Sequence, residues 1–440
     1  MSDRWLYAWG LASLGLGGAS LIVPLYVVEL GGGPATLGIL AAAAAAAGTP
    51  GALGIGWLAD RTGRRRRYVL AAVGVVAVSL AAVPALDAIA AVVVANAAIW
   101  LAFAAAVPVL TLLAVVDTPE SAWSDRIARL NEIQGVGWAL GLLVGFVVVL
   151  AGDRLGWAAV TAQRAVCLIC AASTGVGGVV AARSLPADPD PDSPSAAPTP
   201  RRLRRALRDV RPFGVRGASF PFTARRMDVR GLHPRRFVRR FTPELAVFFL
   251  AITLAFAGFG AFFAPLPAYL AGVGVGDSGV FGLYLVLNVA AAACFGVAAT
   301  LTARYEVTLV HVGALAVRGV AFPALVLTGG ALAPTVALFV AVGLAWAVIA
   351  VSAGTLVTRL SPPTVRGEAL GVYSALSTFA SGVGSVVGGW LAATGYLRTF
   401  GVAGGLVAAG AVVVLLLRRR VGRDRAADTE RTVYSTDGPG

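Results

Sequence analysis

Lysine is absent from this chain of 440 residues, histidine and methionine each occur twice, and cysteine occurs three times. A Ser/His/Asp set, an H-E-x-x-H helix or a Walker loop cannot be assembled from two histidines and no lysine, which excludes those enzyme classes and implies neither a metal site nor a cofactor. Charge is scarce as well: 13% of residues are charged against 58% hydrophobic, with a mean hydropathy of +0.81. A soluble domain of ordinary kind is excluded by that balance. The cysteines Cys167, Cys170 and Cys294 all fall in apolar stretches. The C-x-x-C formed by the first two has no other Cys or His pair to work with, so these thiols act as small hydrophobes.

What the sequence has in abundance is apolar length. A spanning helix needs about 20 mostly apolar residues, and twelve such stretches occur, at 5–30, 35–58, 68–86, 90–116, 127–151, 160–182, 245–271, 279–302, 307–328, 332–358, 368–393 and 399–417. Runs such as Ala41 to Ala47 resemble low-complexity tracts, but their length and flanks fit a span. The first stretch is too long for a signal peptide, and eleven more follow. The expected fold is therefore an all-α integral membrane protein of twelve transmembrane helices in two six-helix bundles. Its segments are 1–183, a linker at 184–243, a second bundle at 244–418 and a polar tail at 419–440 that shows no periodicity.

All 36 basic residues are arginine, and with the N-terminus placed inside, 32 of them fall on the inner side. Arg154, Arg164 and Arg398 fall in outer loops, and Arg318 falls within a span. This asymmetry predicts a multi-pass protein of the cell membrane with both termini cytoplasmic. The net charge of +14 thus points to anionic inner-leaflet lipids as a partner and away from nucleic acid. The linker opens on Pro186-Ala187-Asp188-Pro189-Asp190-Pro191-Asp192, which cannot hold a core or a helix. From Thr199 it turns basic, and Leu203, Leu207 and Val210 on one face predict an amphipathic helix at the membrane surface. Its expected role is a charged tether between the halves.

A weak internal repeat links the halves. Asp117-Thr118-Pro119 and Arg126 after the fourth span are answered by Leu360-Ser361-Pro362-Pro363 and Arg366 after the tenth, and a glycine-rich span follows each. The sharpest local pattern lies between spans two and three, where residues 56 to 67 read Gly-Trp-Leu-Ala-Asp-Arg-Thr-Gly-Arg-Arg-Arg-Arg. Glycines allow the tight turn between antiparallel helices, and the charges belong at the water interface.

In Gly56, Leu58, Asp60, Arg61, Gly63, Arg64 and Arg65 this loop matches, in register, the Gly-x-Leu-x-Asp-Arg-x-Gly-Arg-Arg motif of the major facilitator superfamily, which the chain resembles over nearly its whole length. The start of span eleven at Arg366 and Gly367 is a second, weaker match. The resemblance implies a secondary carrier that works by alternating access about a midplane site. It also implies that Gly56, Asp60, Arg61, Gly63, Arg64, Arg65 and Arg366 form a conformational latch that substrate never touches. Two departures separate the chain from the family's drug and proton antiporters. Span five carries Gly137, Gly141 and Gly145 but no proline, and span four has no arginine.

In the resembled fold spans one, four, seven and ten line the cavity, helped by five, eight and eleven. Their polar and aromatic residues are Tyr26, Asn96, Trp100, Gln134, Trp138, Tyr269, Tyr284, Asn288, Trp346, Tyr373 and Ser377. Such a wall suits a largely apolar organic molecule with a few hydrogen-bonding groups, although Trp and Tyr also belt membrane interfaces. Midplane carboxylates are lacking. Glu29, His311 and Arg318 are the candidates for an ion or anion site, with protons as the coupling ion, and an unpaired charge as deep as Arg318 costs about 2.5–3.5 kcal/mol. The expected function is export of amphipathic or drug-like compounds. Uptake of a neutral or anionic metabolite is the first alternative, and a non-transporting sensor or scaffold is the second.

Overall fold

The computed structural model describes the backbone of residues 4–52, 62, 64–115, 119, 123–186, 242–362 and 366–436, and side chains there except at 115, 123–125, 366–368 and 420–436. In the first half α1 is Arg4–Glu29, α2 Pro34–Pro50, α3 Arg65–Ala82, α4 Ile89–Val115, α5 Trp123–Leu155 and α6 Ala159–Ser184. In the second half α7 is Pro243–Phe263, α8 Leu266–Gly272, α9 Asp277–Arg304, α10 Val307–Leu327, α11 Leu332–Leu360, α12 Arg366–Leu391 and α13 Tyr396–Thr436. No strand occurs among the described residues. Eleven of the predicted spans are long and apolar enough to cross a membrane, the seventh as α7 and α8 together. The second, α2, is described over 17 residues and passes into a π-helical turn at Gly51 and Ala52. Its predicted remainder, 53–58, lies outside the described residues, as does the amphipathic segment from Thr199.

One expectation is corrected. The seventh span is two helices, because Ala264 and Pro265 interrupt it: proline has no N–H to continue the backbone ladder and its ring crowds the preceding turn. In the polar tail segment the backbone of α13 stays helical to Thr436. Prolines elsewhere sit inside helices, at Pro24 in α1, Pro108 in α4 and Pro323 in α10. Neighbouring helices can re-satisfy the carbonyls a proline frees in a membrane.

Helix ends follow local chemistry. Thr242 caps α7 by accepting a hydrogen bond from the Leu245 amide (3.3 Å), and its hydroxyl donates to the Leu360 carbonyl (3.1 Å), tying the start of α7 to the end of α11. On the face away from the arginine-rich termini the turns are short. Gly31 and Gly274 adopt φ of 84° and 82°, which a side chain would disfavour.

Within the first half α1 packs on α5 and α6, and α4 packs on α2 and α3; within the second, α7 packs on α12 and α13, and α11 on α9 and α10. The glycines of span five account for the close approach to α1. A Cβ at Gly137 would strike the Gly10 carbonyl, and one at Gly141 the Leu14 carbonyl. The halves meet along two seams, α2 against α12 and α5 against α9. At the first, Gly38 faces the Ser385 backbone and Gly389 faces Pro34, Ala35 and Gly38, so the helices touch main chain to main chain. At the second, Gly145 makes room for the Phe281 ring. There Gln163 donates to Asp277 (2.6 Å) and Ser278 to Asp153 (2.8 Å). Both hydrogen bonds join the end of α5 and the start of α6 to the start of α9, on the face opposite the Arg64–Arg67 run.

Candidate functional site

Each half carries an aromatic nest around one polar side chain. In the first half Trp9 of α1 stacks on Phe103 of α4 at 5.7 Å, and Trp100 and Trp138 lie 6.1 Å apart beside Phe103. Positions 96, 100 and 103 lie on one face of α4, which brings the buried Asn96 to the same side. Gln134 of α5 is 2% exposed, and its Oε1 accepts the Trp9 indole proton at 2.9 Å. Its Nε2 is buried with no partner. A donor so placed costs free energy until something accepts from it.

In the second half the polar centre is charged. Arg318 of α10 is 2% exposed, and its guanidinium carbon lies 4.3 Å from the Phe259 ring centre, 5.1 Å from Trp346, 5.5 Å from Phe263 and 5.9 Å from Phe322. Its Nε donates to the Val342 carbonyl at 3.4 Å, and among the described residues it forms no ion pair. Aromatic faces hold a desolvated cation by about 2 kcal/mol each at best. Phe256 extends the nest to Trp346 (6.2 Å) and Tyr373 (6.1 Å), joining α7, α11 and α12.

The remaining predicted residues distribute unevenly. Tyr284 stands 6.4 Å from Phe263 at the margin of the second nest, and Asn288 donates to the Tyr284 carbonyl (2.8 Å). Ser377 donates to the Tyr373 carbonyl (2.6 Å). Tyr269 belongs elsewhere: its hydroxyl donates to the Leu325 carbonyl (3.1 Å) and its ring packs on Tyr396 and Phe400. Tyr26 is fully buried, with its hydroxyl directed at the Pro84 and Leu86 carbonyls.

Glu29 is exposed at the last position of α1. His311 is fully buried against Phe248, with Nδ1 2.8 Å from Ser352 Oγ. The serine proton goes to the Val348 carbonyl (2.6 Å), so Nδ1 donates and Nε2 is left buried without a partner. Of the latch residues, Gly56, Asp60, Arg61 and Gly63 lie outside the described residues, and Arg366 is described only as the first residue of α12. Arg64 is exposed ahead of α3, and Arg65 keeps its Nε buried and unpartnered. The next residue, Arg66, donates to the Ala182 carbonyl and so fastens α3 to the end of α6.

The sequence reading missed Trp9, Phe103, Phe256, Phe259, Phe263 and Phe322. For those on α7 the signal was spacing: Phe256, Phe259 and Phe263 recur at three and four residues, on one face of the helix.

The family model described as Major Facilitator Superfamily matches residues 6–347 and 301–436. Among solved structures the chain is similar to the nucleoside transporter NupG, at 14% identity and a TM-score of 0.67, over 95% of this chain and 99% of that one. A mutant of the peptide transporter POT in complex with sulfate gives 17% identity and 0.65 over 96% of this chain and 94% of that one. A bacterial homolog of the human lysosomal transporter Spinster, inward-facing and occupied, gives 13% and 0.66 over 94% of each chain. No curated protein matches the sequence.

Proposed function

The chain belongs to the major facilitator superfamily and is a multi-pass membrane transporter, not an enzyme; we propose that it exports amphipathic, aromatic organic compounds by alternating access, with its arginine-rich face in the cytoplasm. In this reading the bundles at 1–183 and 244–418 rock about the two seams, with 184–243 as the tether between them. The paired nests carry the proposal. Trp100, Trp138 and Gln134 offer ring faces and one free amide donor, while Phe256, Phe259, Trp346 and Tyr373 offer ring faces around Arg318. A solute with a flat apolar body and one or two acceptors satisfies both sides. Asn96, Tyr284 and Asn288 extend the same wall.

The latch at Gly56, Asp60, Arg61, Gly63, Arg64, Arg65 and Arg366 cycles with the rocking, and protons drive it. Expression of the wild type in cells lowers accumulation of lipophilic dyes, a protonophore abolishes the difference, and Asp60→Asn slows turnover while leaving dye affinity nearly intact. Equal accumulation with and without the carrier, across a panel of dyes, defeats export.

One observation favours a second reading, uptake of an anionic metabolite. Arg318 has no carboxylate partner in its nest, and a carboxylate or phosphate on a substrate would supply one. Concentrative uptake of a labelled aromatic acid that disappears in Arg318→Met would move the assignment to that reading.

A further inference from the structure

A cavity opens within the C-terminal half, at its arginine-rich end and apart from both nests. It measures about 480 Å³, within the range of small-ligand pockets, and lies between α7, α10, α11 and α13. The inner wall is apolar: Phe248, Val307, Leu356, Val414 and Leu417 line it, and each is at least nine-tenths buried. The rim is basic and exposed, formed by Arg359, Arg418 and Arg419 with the single acid Glu306. Glu306 engages Arg418, whose Nε lies 2.6 Å from its Oε1. Arg359 and Arg419 are without ion pairs among the described residues. The α10 helix also starts at Val307, so its first-turn amides add positive potential at the same rim.

We infer that this cavity binds an anionic phospholipid of the adjoining leaflet, its phosphate held by Arg359 and Arg419 and part of an acyl chain lodged between Phe248, Leu356 and Val414. Apolar depth beneath unpaired guanidinium groups matches a molecule that is itself charged at one end and apolar at the other. A free phosphate would fill the rim and leave the apolar depth unused. The site is separate from the nests, so it holds whichever substrate the carrier moves.

The test uses the full-length protein in mixed micelles, with retention of phosphatidylglycerol against phosphatidylcholine read by native mass spectrometry. The wild type retains phosphatidylglycerol selectively. Arg359→Gln combined with Arg419→Gln lowers that retention about fivefold to tenfold, the sum of two exposed charge contacts. Leu356→Trp fills the cavity without changing charge and lowers it by a similar factor, whereas Glu306→Gln frees Arg418 and raises it. Arg304→Gln, which removes one arginine charge on the same face but outside the lining, leaves it unchanged. The inference is overturned if phosphatidylglycerol is retained no better than phosphatidylcholine, or if Arg304→Gln weakens retention as much as the rim pair. It is equally overturned if inorganic phosphate displaces the lipid completely, or if Leu356→Trp binds lipid normally, since either result reduces the site to a surface for small anions.

Discussion

The two halves of the molecule solve one packing problem with different polar centres. Both gather aromatic rings from three or more helices, yet the first encloses the neutral amide of Gln134 and the second the guanidinium of Arg318. Gln134 has one hydrogen bond, to its carbonyl oxygen from Trp9, and Arg318 has a backbone carbonyl and four ring faces. A buried neutral donor left unpaired costs about 1–3 kcal/mol, while a desolvated cation costs several kcal/mol unless something meets it. In the proposed carrier this difference would divide the work between the halves, with the first supplying shape and a weak donor and the second a strong electrostatic demand.

The largest expected effect comes from removing that demand. Arg318→Met keeps the volume and should leave thermal stability unchanged or slightly raised, because replacing a buried charge with an apolar side chain is often neutral. Loss of a charge-assisted contact to substrate, about 1.5–3 kcal/mol, should slow transport by about 10-fold to 150-fold in vesicles. Full transport in this variant would make the guanidinium a packing element and erase the contrast between halves.

Next comes the seam that keeps the nests in register. Gly389→Leu drives a side chain into Pro34 and Gly38, and overpacking of about 1–3 kcal/mol shifts the closed state by about 5-fold to 150-fold. Distances between spin labels on α2 and α12 would lengthen, and an unchanged distribution would show that the seam yields elsewhere. Smaller again is Gln134→Leu, which removes one neutral donor worth about 0.5–1.5 kcal/mol and should weaken substrate affinity by about twofold to tenfold in binding titrations. The smallest effect is expected from Trp9→Phe, which leaves the ring stack and removes only the indole N–H. It should cost about 1 kcal/mol of stability in thermal unfolding, with transport within a factor of two to three.

Most of the helix order was legible in the sequence because backbone hydrogen bonding in lipid leaves a helix as the only way for a long apolar stretch to cross. The glycines at 137, 141 and 145 were legible for a related reason: small residues repeated every four positions mark a close helix contact. The nests were only partly legible. Around a membrane helix both the lipid face and the packed face are apolar, so the periodicity that separates inside from outside in a soluble helix fades. Trp100, Trp138, Trp346 and Tyr373 were found through their polar handles, whereas Phe259 and Phe322, which have none, were passed over. Tyr269 has a handle and still lies apart, because its hydroxyl is spent on the Leu325 carbonyl. The break at Ala264 and Pro265 was hidden for a different reason, since other prolines in this chain sit within continuous helices.

No described connection between spans on the face opposite the arginines is longer than six residues, and the longest, between α3 and α4, is half taken up by a 3-10 turn. An antibody or a selected binding protein needs a protruding loop or a concave patch to grip, and this face offers neither length nor relief in its turns. Epitopes should therefore come from the arginine-rich side, and a tag inserted into the opposite turns would disturb the helix hairpins they close. Comparing the staining of intact cells with that of inverted vesicles would then tell which side of the membrane the arginine-rich face occupies, and under the proposed orientation only the inverted vesicles stain.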